Sequence, residues 1–251
     1  MAFNFGNLAK GSGVATVQRR LKPWDIYEVE LKDARIDEVK GSKDPSKTYR
    51  ILKVRFENEQ GYYEESIFFP KPGDEERTVR EVTNKDGSKR QMELPSNNDR
   101  IEGFIQHVAA VLNPDAFVKL QEHAAKGVFK DFDMVAKYFI EKICKPVFGK
   151  KTFLKLIGKK DKDGNYQPIL PYFVEIRNGE PRLNNNFLGT PTMVAFSEYE
   201  ERQRNEYLNA KPTNMKAKDS DLDVDSVTKE ADAALNETTK SELDSMLDQL
   251  D

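Results

Sequence analysis

The apolar positions of this chain change period twice. Between Trp24 and Val39 they alternate, with Tyr27, Val29 and Leu31 in one phase and Ala34 and Ile36 in the other. A slip of one residue in a long alternation predicts a strand with a bulge near Asp33–Ala34, and a bulge bends the strand that carries it. After the basic turn KGSKDPSK (40–47), residues 49–57 set Leu52, Val54 and Phe56 on one face and Tyr49, Ile51, Lys53 and Arg55 on the other. The turn NEQG (58–61) leads into YYEESIFFP, so three strands in an antiparallel meander are expected. Within 70–98, RTVREVT and KRQMELP flank Asp86-Gly87 and predict an inserted basic hairpin.

Over 97–147 the period becomes helical. Ile101, Phe104, Ile105, Val108 and Leu112 predict an amphipathic helix capped by Asn98 or Asp99 and ended by Asn113-Pro114. A second helix is expected from an Asp115 cap to about Ala125, and a third from about Asp131 to Cys144, stopped by Pro146. Strands then return. KTFLKLIGKK (151–160) is expected to pair with ILPYFVEIR (169–177) across DKDGNYQP, and Asn178-Gly179 signals a type I′ turn into EPRLN. A short helix over 197–209 completes the body.

Strand, strand, strand, helices, strand, strand is a mainly β pattern with α (α+β). It matches the order of an OB-fold: a five-stranded, partly open antiparallel barrel, here with a helical insertion between strands three and four. The competing architecture is a sheet with helices on one face. Three regions follow: a flexible basic arm (1–22), a body (23–210) and a tail (211–251). The arm carries Lys10, Arg19, Arg20 and Lys22, no acid, and Phe3 and Phe5 near its tip. The tail has too few large apolar residues to offset its ordering entropy and is expected to be disordered. Its last stretch, SELDSMLDQLD, places Leu243, Met246, Leu247 and Leu250 at helical spacing among acids.

Charge sharpens this division. The 251 residues carry a net charge of only −3, but residues 219–251 hold two lysines against eleven acids, a net of −9, leaving +6 on 1–218. A basic body with an acidic tail is common in nucleic-acid proteins, and a solubilising tail is the plainer alternative. The OB-fold surfaces that take oligonucleotides hold suitable chemistry. The first turn supplies Lys40, Lys43 and Lys47; the second strand Tyr49, Lys53 and Arg55; the third Tyr62 or Tyr63; the last loop Lys159, Lys160, Lys162 and Tyr166. Cations for phosphates and flat rings for bases are what single-strand binding needs. Strand aromatics also serve ordinary packing, and lysine-rich turns are also plain solvated loops.

Catalytic patterns are missing. His107 and His123 are the only histidines, and with the single Cys144 they form no recognisable zinc site. GKKT at 149–152 has the end of a P-loop but Cys144 where the first glycine belongs. Glu38 and Lys40 lack partner acids for a metal nuclease. No enzyme activity and no cofactor are expected. The start of the chain has no long apolar run, so no signal peptide or membrane span is expected, and the location expected is cytoplasmic.

A basic OB-type body, a glycine-containing basic arm and the terminal ELDSMLDQLD together resemble the replicative single-stranded-DNA-binding proteins of tailed bacteriophages. The tail match, with its alternating leucines and aspartates, is the more specific part; the body resembles the family in element order and in TFLKLIGKKDKDGNYQPILPYFVE. The resemblance implies sequence-independent binding and protection of single-stranded DNA during replication, recombination and repair. It implies an arm that mediates self-association between neighbours. It also implies a tail that competes with DNA and docks replication and recombination proteins, here through Leu243, Asp244, Met246, Leu247, Asp248 and Leu250. Some members carry a zinc site; one cysteine would make this chain a zinc-free relative. Alternatives are a virion structural or assembly protein, a strand-annealing recombinase, or a metal-dependent nuclease.

Overall fold

In the computed structural model the described residues are 19–41, 44–83 and 86–209. The terminal motif from Leu243 to Leu250, most of the basic arm, and Lys43 lie outside them. The meander forms from β1 (Asp25–Lys40), β2 (Thr48–Asn58) and β3 (Gly61–Phe68), and the inserted hairpin from β4 (Thr78–Thr83) and β5 (Lys89–Leu94). Helices α1 (Asn97–Leu112), α2 (Pro114–Ala125) and α3 (Phe132–Tyr138) follow, and α3 continues through a π-helical segment, Phe139–Cys144. Then come β6 (Lys151–Lys160), β7 (Tyr166–Ile169), β8 (Val174–Arg177), β9 (Glu180–Leu183), β10 (Leu188–Gly189) and α4 (Glu198–Asn209). Among the described residues no helix is long and apolar enough to cross a membrane.

The α+β class follows the sequence pattern, with strands in antiparallel sheets, but the main sheet is open. Its order is β10-β6-β1-β2-β3, with β7 on β6 and with β4–β5 and β8–β9 as separate hairpins. β1 is shared by two neighbours: Asp25–Glu30 pair with β6, and Glu30–Lys40 with β2. Its register shifts between Leu31 and Asp33, beside the expected slip. The shift lets Leu31 and Ala34 both face the core, where they are 0% and 4% exposed. That interior face meets Ile101, Phe104, Ile105, Val108 and Leu112 of α1, with Phe139 and Ile143 of the π-helical segment. Cys144 is buried in the same core, and burial pushes its thiol pKa up. It is a packing residue.

Among the described residues no ladder joins β3 to β7. The outer edge of β3 is instead met at its start, at Tyr62, by the segment before β1. Arg20 bridges Tyr62 in parallel, Leu21 N donates to Tyr62 O at 2.8 Å, and Tyr62 N donates to Arg19 O at 2.9 Å. Gly61 permits this: its φ is +154°, and a Cβ there would lie 2.1 Å from Arg19 O. Leu21 is 2% exposed, so the region read as a flexible arm is packed from Arg19 onward.

Several boundaries differ from the sequence reading. α1 is capped by Ser96, not Asn98 or Asp99; Asp99 is the third helical residue and completes a capping box by accepting from the Ser96 amide. α2 is capped by Asn113 rather than Asp115. β7 starts at Tyr166 because the Asp161 carboxylate gathers the amides of Asp163 and Asn165 at 3.0 and 2.7 Å, which tightens the preceding turn. It stops at Ile169, and Val174–Arg177 pairs with β9 and not with β6. The turn between β8 and β9 is as expected: Asn178 and Gly179 have φ of 54° and 78°.

Candidate nucleic-acid interface

Alternation along β2 and β3 decides which side chains can meet a ligand. Leu52, Val54 and Phe56 point inward and are fully buried, leaving Tyr49, Ile51, Lys53 and Arg55 on the outer face. On β3 the inward ring is Tyr63, 8% exposed, whose hydroxyl donates to Glu65. Tyr63 is therefore a core residue and cannot stack on a base, which corrects its place among the candidates. Tyr62 is the outward ring, and the Arg55 guanidinium lies over it, 4.2 Å from its centroid.

The outer face is charge-compensated. Lys53 Nζ lies 3.2 Å from Asp37 and 3.4 Å from Glu64, and Arg55 lies 3.2 Å from Glu57. Arg35, a cation the sequence reading passed over, contacts Asp33, Asp37 and Glu64. A phosphate arriving here would have to displace carboxylates from Lys53 and Arg55. At the turn, Lys40 is exposed at the end of β1, Lys47 pairs with Asp44 at 3.6 Å, and Tyr49 is 38% exposed and edge-on to Phe68 at 6.2 Å.

The two lysine-rich loops do not converge. Lys40 pairs with Thr48 at one end of β1; at the other, β6 runs beyond the Asp25–Leu156 pair to Lys160. Between them, beside the start of β1, is a groove lined by Asp25, Glu28, Glu30, Glu57 and Glu59 with Lys32 and Lys151. One continuous basic cleft is thus absent from the described residues.

What the fold does assemble lies at the β6–β7 end. Lys160 pairs with Tyr166 across the hairpin, and its ammonium sits 5.3 Å from that ring's centroid. Tyr166 meets Tyr207 of α4 edge-on at 5.0 Å. Lys159 lies beside them in β6 and Lys162 is exposed in the turn. Trp24 packs against Gly158: a Cβ on Gly158 would lie 2.2 Å from Trp24 Nε1 and 2.8 Å from Tyr166 Cδ1. These residues line a cleft of about 610 Å³ that also includes Tyr172, Phe196 and Tyr199.

α4 holds the far wall. Ser197 and Glu200 form its capping box, with Ser197 N donating to Glu200 at 2.8 Å and Glu200 N to Ser197 Oγ at 3.3 Å. Lys155, 1% exposed on the outer side of β6, donates to Glu200 at 3.0 Å and Asn185 at 2.8 Å. Burial lowers the Lys155 pKa and the Glu200 charge opposes that shift. Arg204 Nε donates to Trp24 O at 3.0 Å. The sequence reading missed Trp24, Tyr172, Phe196, Tyr199 and Tyr207 as site residues. Their signal was faint: a tryptophan ahead of β1, Tyr172 in a segment read as a strand, Phe196 just ahead of the short helix, and Tyr199 and Tyr207 within it.

Comparison with known proteins adds no relative: no family model, no curated protein and no solved structure matches the chain.

Proposed function

We propose that this chain binds single-stranded DNA without sequence preference. It would coat transient strands during phage replication, recombination and repair, and recruit partner proteins through its acidic tail. The observation that carries the reading is the β6–β7 end, where Lys159, Lys160 and Lys162 stand beside Tyr166 and a wall of further rings. Phosphate neutralisation and ring stacking are the two terms of sequence-tolerant single-strand binding. The strand path also favours it. The order β3-β2-β1-β6, with β7 hairpinned onto β6 after a helical insertion, is compatible with an OB-type strand path, with the sheet open between β3 and β7. In this reading binding is centred on the β6–β7 end, because carboxylates already neutralise Lys53 and Arg55 on the β2 face.

Anisotropy of dye-labelled oligo-dT, titrated with the full chain over a range of salt, tests it. Binding that weakens steeply with salt and does not depend on base order is expected. Absence of binding at low salt, also after removal of residues 219–251, would refute the reading.

A further inference from the structure

The cleft between the β6–β7 hairpin and α4 has features that a phosphate-tracking surface does not need. Trp24 is left-handed at φ 60°, uncommon for a residue with a side chain, and 5% exposed. Its indole N–H is buried without a hydrogen-bond partner. A strained backbone and an orphaned donor at one residue are both unfavourable, and such features concentrate at ligand sites. The strain is held in place by the Arg204 bond to the Trp24 carbonyl and by Gly158, the one residue type whose lack of a Cβ lets the indole lie against β6. Rings come from four separate segments: Trp24, Tyr166, Tyr172, and Phe196 with Tyr199. The volume falls in the roughly 300–1,000 Å³ range of small-molecule sites.

The walls specify the ligand. Electron-rich rings can hold a cation, but the chain's own cations already take that role: Lys160 over Tyr166, and Lys155 and Arg204 over Phe196 at 5.8 and 5.5 Å. Lys155 is paired with Glu200, Lys159 and Lys160 stand at the hairpin beside the rings, and Glu206 completes the charged lining. The site therefore suits a flat, uncharged ring system carrying a phosphate. Asn184 and Gln203 add polar lining of the kind that meets a base edge.

We propose that this cleft is a nucleobase pocket, taking one base against its rings with the adjoining phosphate at Lys159 and Lys160. The inference rests on the single-strand-binding reading and goes further, in placing one base out of the stack and off the β2–β3 face. The same chemistry could come from a polynucleotide or from a free mononucleotide.

Trp24 is the chain's only tryptophan, so its emission reports on this pocket alone. The full chain is titrated with dye-labelled oligo-dT, with an abasic strand of equal length, and with thymidine monophosphate. Dye anisotropy follows strand binding and Trp24 emission follows the pocket. Oligo-dT should change the emission; the abasic strand should bind more weakly and leave it unchanged. A response to the mononucleotide identifies the free nucleotide as a second source. Tyr199→Ala should weaken oligo-dT by about tenfold, the scale of one lost ring–base stack, without changing abasic affinity. Gly158→Ala should do the same, and Tyr199→Ala keeps the test decisive if that variant does not fold. If oligo-dT and abasic strands bind equally and Trp24 responds to neither, the pocket is refuted and strand binding stands. If no strand binds and the mononucleotide leaves Trp24 unmoved, both readings fall.

Discussion

Two side chains set opposite pH responses, one half-buried on β3 and one buried in α1. Glu65 lies on the inward phase of β3, where burial pushes its carboxyl up to about 7 and the Tyr63 hydroxyl only partly opposes this. Its contribution to stability is complete below its ordinary value of 4.5 and is lost as pH rises through 7, because the unfolded chain releases the proton first. His107, 3% exposed in α1, is pushed down to about 4 by burial, with its Nε2 3.1 Å from the Leu188 carbonyl. Its contribution is complete above 6.5 and is lost as pH falls through 4. Each swing is roughly 3 kcal/mol at 1.36 kcal/mol per pKa unit, and over the shared window the two cancel. Substitution should expose them. Relative to the parent, Glu65→Gln should make stability climb between pH 4.5 and 7, and His107→Gln should make it decline. Urea midpoints at the two pH values measure this, and parallel profiles for parent and variants would contradict the assignment.

Elements dock here through small residues and buried charge. Gly103, on the buried face of α1, leaves room for the β8–β9 hairpin: a Cβ there would sit 2.4 Å from Val174 Cγ2 and 3.6 Å from Leu183 Cδ2. Alanine ordinarily improves a helix by up to about 1 kcal/mol over glycine. Here overpacking should dominate, and Gly103→Ala should cost about 1–3 kcal/mol in denaturant unfolding. Lys155→Ala should cost more, roughly 3–5 kcal/mol, because it strands Glu200 as a buried unpaired charge. Replacing both partners with apolar residues should recover much of that loss in the same assay. How far such elements could be read from sequence depended on range. The bulge of β1, the β4–β5 hairpin, the Asn178-Gly179 turn and the span of α4 are local patterns, and all were legible. Caps were misplaced by two or three residues because Ser96, Asn97, Asn98 and Asp99 can all cap; packing selected Ser96, which is 4% exposed. β10 was invisible, since two residues carry no period. The Lys53–Glu64 and Lys155–Glu200 pairs were equally so, because their members meet only through tertiary structure.

On the scale of the molecule, charge is arranged in zones. Compensated pairs cover the outer faces of β1, β2 and β3, an acidic groove flanks the start of β1, and Lys159, Lys160 and Lys162 cluster with aromatic rings at the β6–β7 end, where Asp161, Asp163 and Glu206 also lie. This layout predicts an uneven response to mutation. Converting Lys159 and Lys160 together to alanine should reduce the slope of log affinity against log salt by about 0.7 per lost phosphate contact on a single strand. Converting Lys53 alone should leave that slope almost unchanged, since its carboxylate partners already neutralise it. Equal slope changes from the two substitutions, measured by anisotropy, would show that the zones do not govern binding.

The segment on the rim of β3 also bears on how the chain may be shortened. Trimming through Lys22 would remove Leu21 along with the backbone groups of Arg19 and Leu21 that bond Tyr62. The start of β3 would then lose its edge partner at Tyr62, extending an unpaired edge that is a template for addition of another chain's strand. A trim ending at residue 18 keeps that seam. The shorter deletion should elute like the full chain, and the longer one should form higher-order species that grow with concentration. Residues 19–21 thus act as a selvedge, the woven border that keeps a sheet from fraying into its neighbours.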